Sequence, residues 1–153
     1  MSKLPAPLLE DVADPKVEGW MHGFPAAADR LITFSDASRQ FPQIRWSFSH
    51  RRELVPTVAV WRGSKSPESF PEARVNLDDL MFEVAGATNV TWGVAMEKMC
   101  TDGVIVLHDG RLAYERYLGA LKEHTPHSGA SLTKSFVGTL AAAAAIAGDL
   151  DTN

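Results

Sequence analysis

The stretch SGASLTKSFVGTLAAAAAIAGDLDTN, residues 128–153, sets a serine and a lysine three positions apart at the mouth of an apolar helix. The pattern predicts a helix that starts near Ser131, runs to about Ala147 and stops at Gly148, the residue type that most readily takes a left-handed C-cap. Its alanine run makes a narrow cylinder that can lie close to neighbouring backbones, so a central, buried helix is expected. Immediately upstream, GVIVLHDGRLAYERYLGA (residues 103–120) reads as an antiparallel hairpin. Residues 104–107 are apolar and mostly β-branched, and Asp109-Gly110 is a dipeptide suited to a two-residue type I′ turn. Leu112, Tyr114 and Arg116 then alternate with Ala113, Glu115 and Tyr117. The segment LKEHTPHSGA joins the hairpin to the helix.

Taken alone, Ser131-x-x-Lys134 is a weak signal: on the order of one such spacing arises by chance in a chain this long. By itself it reads more readily as a helix N-cap followed by a solvated lysine. The context shifts the reading. A capping serine is best partnered three residues on by Glu or Gln, which reach back to the free N–H groups. Here a lysine stands at that position, where the helix dipole opposes it by up to about 1 kcal/mol. The same field, with burial, favours a neutral amine. A lysine of that kind one turn from a hydroxyl can take its proton, because side chains at i and i+3 share a face. The positive end of the helix also places N–H groups near a developing oxyanion.

Hairpin, short loop and serine-bearing helix in this order resemble the opening of a class C β-lactamase-related serine hydrolase. The residues that carry the resemblance are DGVIVLHDGRLAYERYLGALKEHTPHSGASLTKSFVGTLAAAAAIAGDLD, 102–151, with FPQIRWSFSHRRELVPTVAVWRG, 41–63, similar to the N-terminal arm of such enzymes. Within that group the chain most resembles the 6-aminohexanoate-dimer hydrolases and related esterases. The resemblance implies an α+β fold, the N-terminal part of a β-lactamase/penicillin-binding-protein-like domain, with an antiparallel sheet flanked by helices. It implies an acyl-enzyme on Ser131 with Lys134 as assisting base, and a small amide or ester as substrate. It implies no cofactor and no metal. Families of this kind also use a downstream tyrosine in a Tyr-x-Asn or Tyr-x-Ser motif, and a Lys-Thr-Gly or His-x-Gly strand. Neither occurs here: Tyr114 and Tyr117 both fall on the expected hairpin and read as sheet residues. The chain is therefore expected to hold the nucleophile and lysine without a full site. Two alternatives stay open, a non-catalytic fragment or half of a split protein that needs a partner chain or a homo-oligomer, and a penicillin-binding-like sensor that acylates without turnover.

The rest of the chain sets bounds. Its 153 residues suffice for one domain. A 45% apolar and 22% charged composition is that of a globular domain. The net charge of -4 argues against a nucleic-acid partner. The absence of an apolar leader stretch near the N-terminus and the shortness of the apolar stretch 136–147 argue for a cytoplasmic protein with no membrane partner. The lone Cys100 reads as a small buried hydrophobe. Residues 1–50 are expected to form an extended arm anchored by Trp20, Phe24 and Trp46, and residues 51–153 the hydrolase part. In TVAVWRG a short strand or extended segment is expected, and residues 76–100 read as two helical pieces, from the spacing of Leu77, Leu80, Met81, Val84 and Ala85 and then from VAMEKMC. His124 and His127 lack the third ligand a zinc site needs, although either could line a pocket mouth. His22, His50 and His108 read as surface or packing residues. Ser128 is the better N-cap candidate, and the arginines of RWSFSHRRE are expected to form ion pairs with the body.

Overall fold

The computed structural model describes residues 11–34, 40–84 and 87–151. Pro5 and Pro7 of the expected arm, Ala85 of the expected helix and the closing Asn153 lie outside these. Among the described residues, short helical pieces come first. Helix α1, Pro15–Glu18, is framed by Asp14, whose carboxylate accepts the Lys16 N–H, and by Gly19 in the left-handed region at φ +66°. A 3-10 turn at Ala28–Arg30, α2 at Ile44–Ser47 and α3 at Arg51–Leu54 follow. They enclose a small core of Ile32 and Trp46, against which Trp20, Met21 and Leu54 pack. Residues of the expected arm thus share a small core with Leu54. Trp20 and Trp46 act as anchors in it, whereas Phe24 is fully exposed.

No strand forms at residues 57–63, and Val58, Val60 and Trp61 point into solvent. The β-branched residues there suit a strand, but among the described residues no neighbouring strand supplies the ladder hydrogen bonds. Residues 71–75 instead run along the hairpin: the Leu112 N–H donates to the Pro71 carbonyl at 2.8 Å, and the Val75 N–H donates to that of Ala113 at 2.8 Å.

The first of the two expected helical pieces is not helical: strand β1, Met81–Val84, pairs antiparallel with β2, Ala87–Thr91, in the register Met81↔Thr91 and Phe82↔Val90. Spacings of three and four between apolar residues fit a helix, but Phe82, Val84, Val90 and Thr91 are residue types that favour a pleated surface. A turn held by Asn76, whose side chain accepts the Asp78 N–H and donates to Asp79, leads into β1. The second piece is helical as expected: α4, Trp92–Lys98, begins at Thr91, whose hydroxyl accepts the Val94 N–H at 3.3 Å. Val90, Ala95 and Met96 form a second core, with Phe82, Trp92, Val104 and Leu118 around it.

Strands β3, Gly103–His108, and β4, Arg111–Tyr117, form the expected hairpin. Asp109 (φ +49°) and Gly110 (φ +70°) both take positive φ, as a type I′ turn demands. The expected alternation along β4 is broken. The register shifts between Val106↔Tyr114 and Leu107↔Leu112, so Ala113 is an extra residue, and Leu112, Ala113 and Tyr114 are all buried in succession.

Helix α5, Leu132–Ala147, ends at Gly148 in the left-handed region, φ +80°. It buries none of its residues: Leu132, Phe136, Val137, Leu140 and Ile146 are all largely exposed. The expected burial does not occur among the described residues, because no other element packs across the apolar face. Among the described residues, no helix is long and apolar enough to cross a membrane.

Candidate active site

The loop from β4 to α5 positions Ser131. Its beginning is tied down where the Leu118 N–H donates to the Asp102 carbonyl at 2.8 Å, and its end where the Ser128 N–H donates to the Phe48 carbonyl at 2.8 Å. Gly129 and Ala130 then turn the chain into the helix. Ala130 sits at φ +42°, a conformation that costs a residue with a Cβ about 1–2 kcal/mol. Strain of that kind persists only where the surroundings impose it.

Ser131 occupies the N-cap position of α5 with helical dihedrals (φ -71°, ψ -12°), and its side chain makes no capping hydrogen bond. The N-cap reading of the Ser131 hydroxyl therefore fails on geometry. The Lys134 side chain instead reaches back one turn, its Nζ 3.3 Å from Ser131 Oγ. Both side chains are exposed, so the desolvation expected around Lys134 is missing here. Ser128 gives no side-chain cap to the helix either.

The amides at the helix mouth are mostly committed. The N–H groups of Leu132, Thr133 and Lys134 donate to the carbonyls of Gly129, Ala130 and Ser131 at 2.8, 3.2 and 3.0 Å. The Ser131 N–H has no hydrogen-bond partner among the described residues, and it is the amide left to meet an incoming oxygen.

Behind the loop lies a charged cluster that residue patterns do not reveal. His127 Nε2 is 2.9 Å from Asp102 Oδ2, and the other Asp102 oxygen accepts from the guanidinium of Arg45. Arg45 is buried. It donates further to the Cys100 carbonyl at 2.8 Å and the Val12 carbonyl at 3.2 Å. The arginine-rich segment thus pairs with the body through Arg45. Arg51 lies over the Phe48 ring, 5.2 Å from its centroid. Partners 25 and 57 residues apart leave no local signal, and His127 is marked in the sequence only by its nearness to Ser131.

The remaining candidates keep structural roles. Tyr114 donates to Asp78 Oδ1 at 2.6 Å, and Arg116 donates to the same oxygen at 2.9 Å. Burial, reinforced by that hydrogen bond, pushes the Tyr114 phenol above its ordinary range. Tyr117 is pushed the same way by its hydrogen bond to Glu115. A tyrosine serving as base near neutral pH needs the opposite direction. Burial also raises the Cys100 thiol, away from a reactive thiolate. His50 stacks flat on Trp46 with centroids 4.0 Å apart, while His108 and His124 lie on the surface beside Asp109 and Glu123. Among the described residues no cluster of His, Cys, Asp and Glu could hold a metal ion.

No family model matches the chain. Over 128 residues it is 30% identical to the 6-aminohexanoate-dimer hydrolase of Paenarthrobacter ureafaciens, a match that covers 84% of this chain and 31% of that protein. Among solved structures it is similar to "Putative 6-aminohexanoate-dimer hydrolase from Bacillus anthracis", with a TM-score of 0.67 and 32% identity, over 73% of this chain and 29% of that one. The chain thus spans about a third of the length of the curated relative it matches. With small antiparallel sheets beside helices, the fold is α+β, part of a β-lactamase-like fold.

Proposed function

We infer that the chain belongs to the β-lactamase-like serine hydrolases and carries the nucleophile of a reaction that cleaves amide or ester bonds. The observation that supports this most is the pairing of Lys134 Nζ with an uncapped Ser131 Oγ at 3.3 Å. In this reading Lys134 accepts the hydroxyl proton as Ser131 Oγ attacks the substrate carbonyl. The free Ser131 N–H faces the carbonyl oxygen as it gains charge. The leaving amine or alcohol departs with a proton, an acyl ester stays on Ser131, and water then cleaves it. The names of both similar proteins favour short linear amides of the aminohexanoate type; small carboxylic esters are the related class.

A second reading concerns what completes the site. The exposed apolar side chains of α5 and the third of the relative's length spanned here both favour further polypeptide over that helix. It would come from a longer form of the protein, a partner chain or a second copy, and would bring the acid/base tyrosine and the second oxyanion N–H.

The test is hydrolysis of the linear 6-aminohexanoate dimer and of p-nitrophenyl acetate by the protein, followed by substitution. Removal of the hydroxyl in Ser131→Ala abolishes turnover. Lys134→Ala lowers kcat by about 10²–10⁴-fold. Equal rates for S131A and the parent overturn the assignment of Ser131.

A further inference from the structure

The cluster behind Ser131 does more than join two charges. His127 Nε2 faces a carboxylate oxygen of Asp102 at 2.9 Å, and since a carboxylate only accepts, the ring is the donor. Its Nδ1 lies 3.0 Å from the Ser128 carbonyl, and its edge meets the Phe48 ring at 5.6 Å between centroids and 78° between planes. Asp102 is in turn held by the buried Arg45, which is fastened to two backbone carbonyls. The Ser128 N–H is bound to the Phe48 carbonyl. Residues 127 and 128 are therefore fixed from three sides. Two residues later the chain passes through the left-handed backbone of Ala130 and delivers Ser131.

We propose that His127 is a positioning residue for Ser131. Through Asp102 and Arg45 it clamps the start of the 127–130 turn, which imposes the strained backbone at Ala130 and so sets where Ser131 Oγ stands relative to Lys134. The catalytic meaning of the clamp rests on the reading of Ser131 as nucleophile, whereas the clamp itself is a claim about geometry and can be tested apart from it.

The experiment compares the parent chain with His127→Ala, His127→Gln and Ser131→Ala. It reads amide hydrogen exchange at residues 128–131, thermal midpoint, and labelling by a fluorophosphonate over a range of probe concentrations. H127A is expected to speed exchange in the turn by about tenfold and to lower the maximal labelling rate by about ten- to a hundredfold. The half-saturating probe concentration stays near the parent's. H127Q restores both, because its amide nitrogen donates to Asp102 from the place of Nε2. A loss of packing alone gives the two variants the same defect, and that result overturns the proposal. So does an H127A protein that exchanges and labels like the parent. If H127A does not fold, His127→Asn replaces it, being polar but too short to reach Asp102. Should Ser131 stay unlabelled even in the parent, the hydrolase reading fails. Exchange then decides the clamp by itself: acceleration in H127A that H127Q reverses upholds it, and unchanged exchange overturns it.

Discussion

The β3–β4 hairpin and helix α5 are neighbours in sequence and opposites in construction. The hairpin closes on itself: a type I′ turn, a ladder with a single bulge, residues 71–75 along one edge, and three consecutive buried side chains on β4. Helix α5 is equally regular, with a glycine stop and a continuous 16 residues, yet it buries nothing. One element draws its stability from partners inside the chain. The other is held at its N-terminal end by the loop 127–130 and presents Ser131 and Lys134 at that same end. Regular backbone and packed side chains are separate achievements, and here the proposed chemistry sits where the first exists without the second.

The largest expected effect separates the two regions by stability. Met96 on α4 lies in the core against which Val104 of β3 packs, so Met96→Ala should cost about 2–5 kcal/mol. Leu140 on α5 is 69% exposed, and Leu140→Ala should stay within about 0.5 kcal/mol. Urea unfolding of both variants measures the gap. A large loss for L140A would show that α5 is covered in solution, by a second copy or by residues outside those described.

A smaller effect sharpens the comparison at the two turns. Both use left-handed backbone, but the hairpin places Gly110 there and the α5 loop places Ala130. Gly110→Ala has open space around its new Cβ, so its cost is conformational, about 1 kcal/mol. Ala130→Gly should gain up to about 1 kcal/mol from relieved strain, reduced by the greater freedom of glycine when unfolded. Thermal midpoints that move in opposite directions bear this out.

The smallest effect is electrostatic. The chain has 2 tyrosines, both on β4, and both phenols are raised in the folded state. For such a group the folded form prefers the proton. The stabilising contribution is therefore complete below the ordinary tyrosine range and is lost as pH rises through the raised values. Absorbance at 295 nm during an alkaline titration should show both tyrosines ionising later in the folded than in the unfolded protein. Tyr114→Phe should leave only the Tyr117 step.

These contrasts also explain what could be read before the structure. Asp109-Gly110 announced the hairpin because a two-residue turn needs positive φ at both positions, a demand visible in two letters. Gly148 ended α5 for a similar local reason. The piece around Leu77–Val84 reads as helix because Leu77, Leu80, Met81 and Val84 satisfy a helical period, while the pairing of Phe82 with Val90 is a tertiary fact. The bulge at Ala113 has no sequence mark. The burial of α5 was inferred from alanine content, which permits close packing but supplies no neighbour. Ser131 and Lys134 were legible because their relation is one helical turn. Arg45, Asp102 and His127 were not, because only the folded chain brings them together.

The measurement that bears most directly on the central claim is the intact mass of the purified protein before and after a fluorophosphonate. The account predicts one adduct, located on the peptide that holds Ser131, absent in S131A and strongly reduced in K134A. A chain that stays unmodified, or an adduct that persists in S131A, would contradict it.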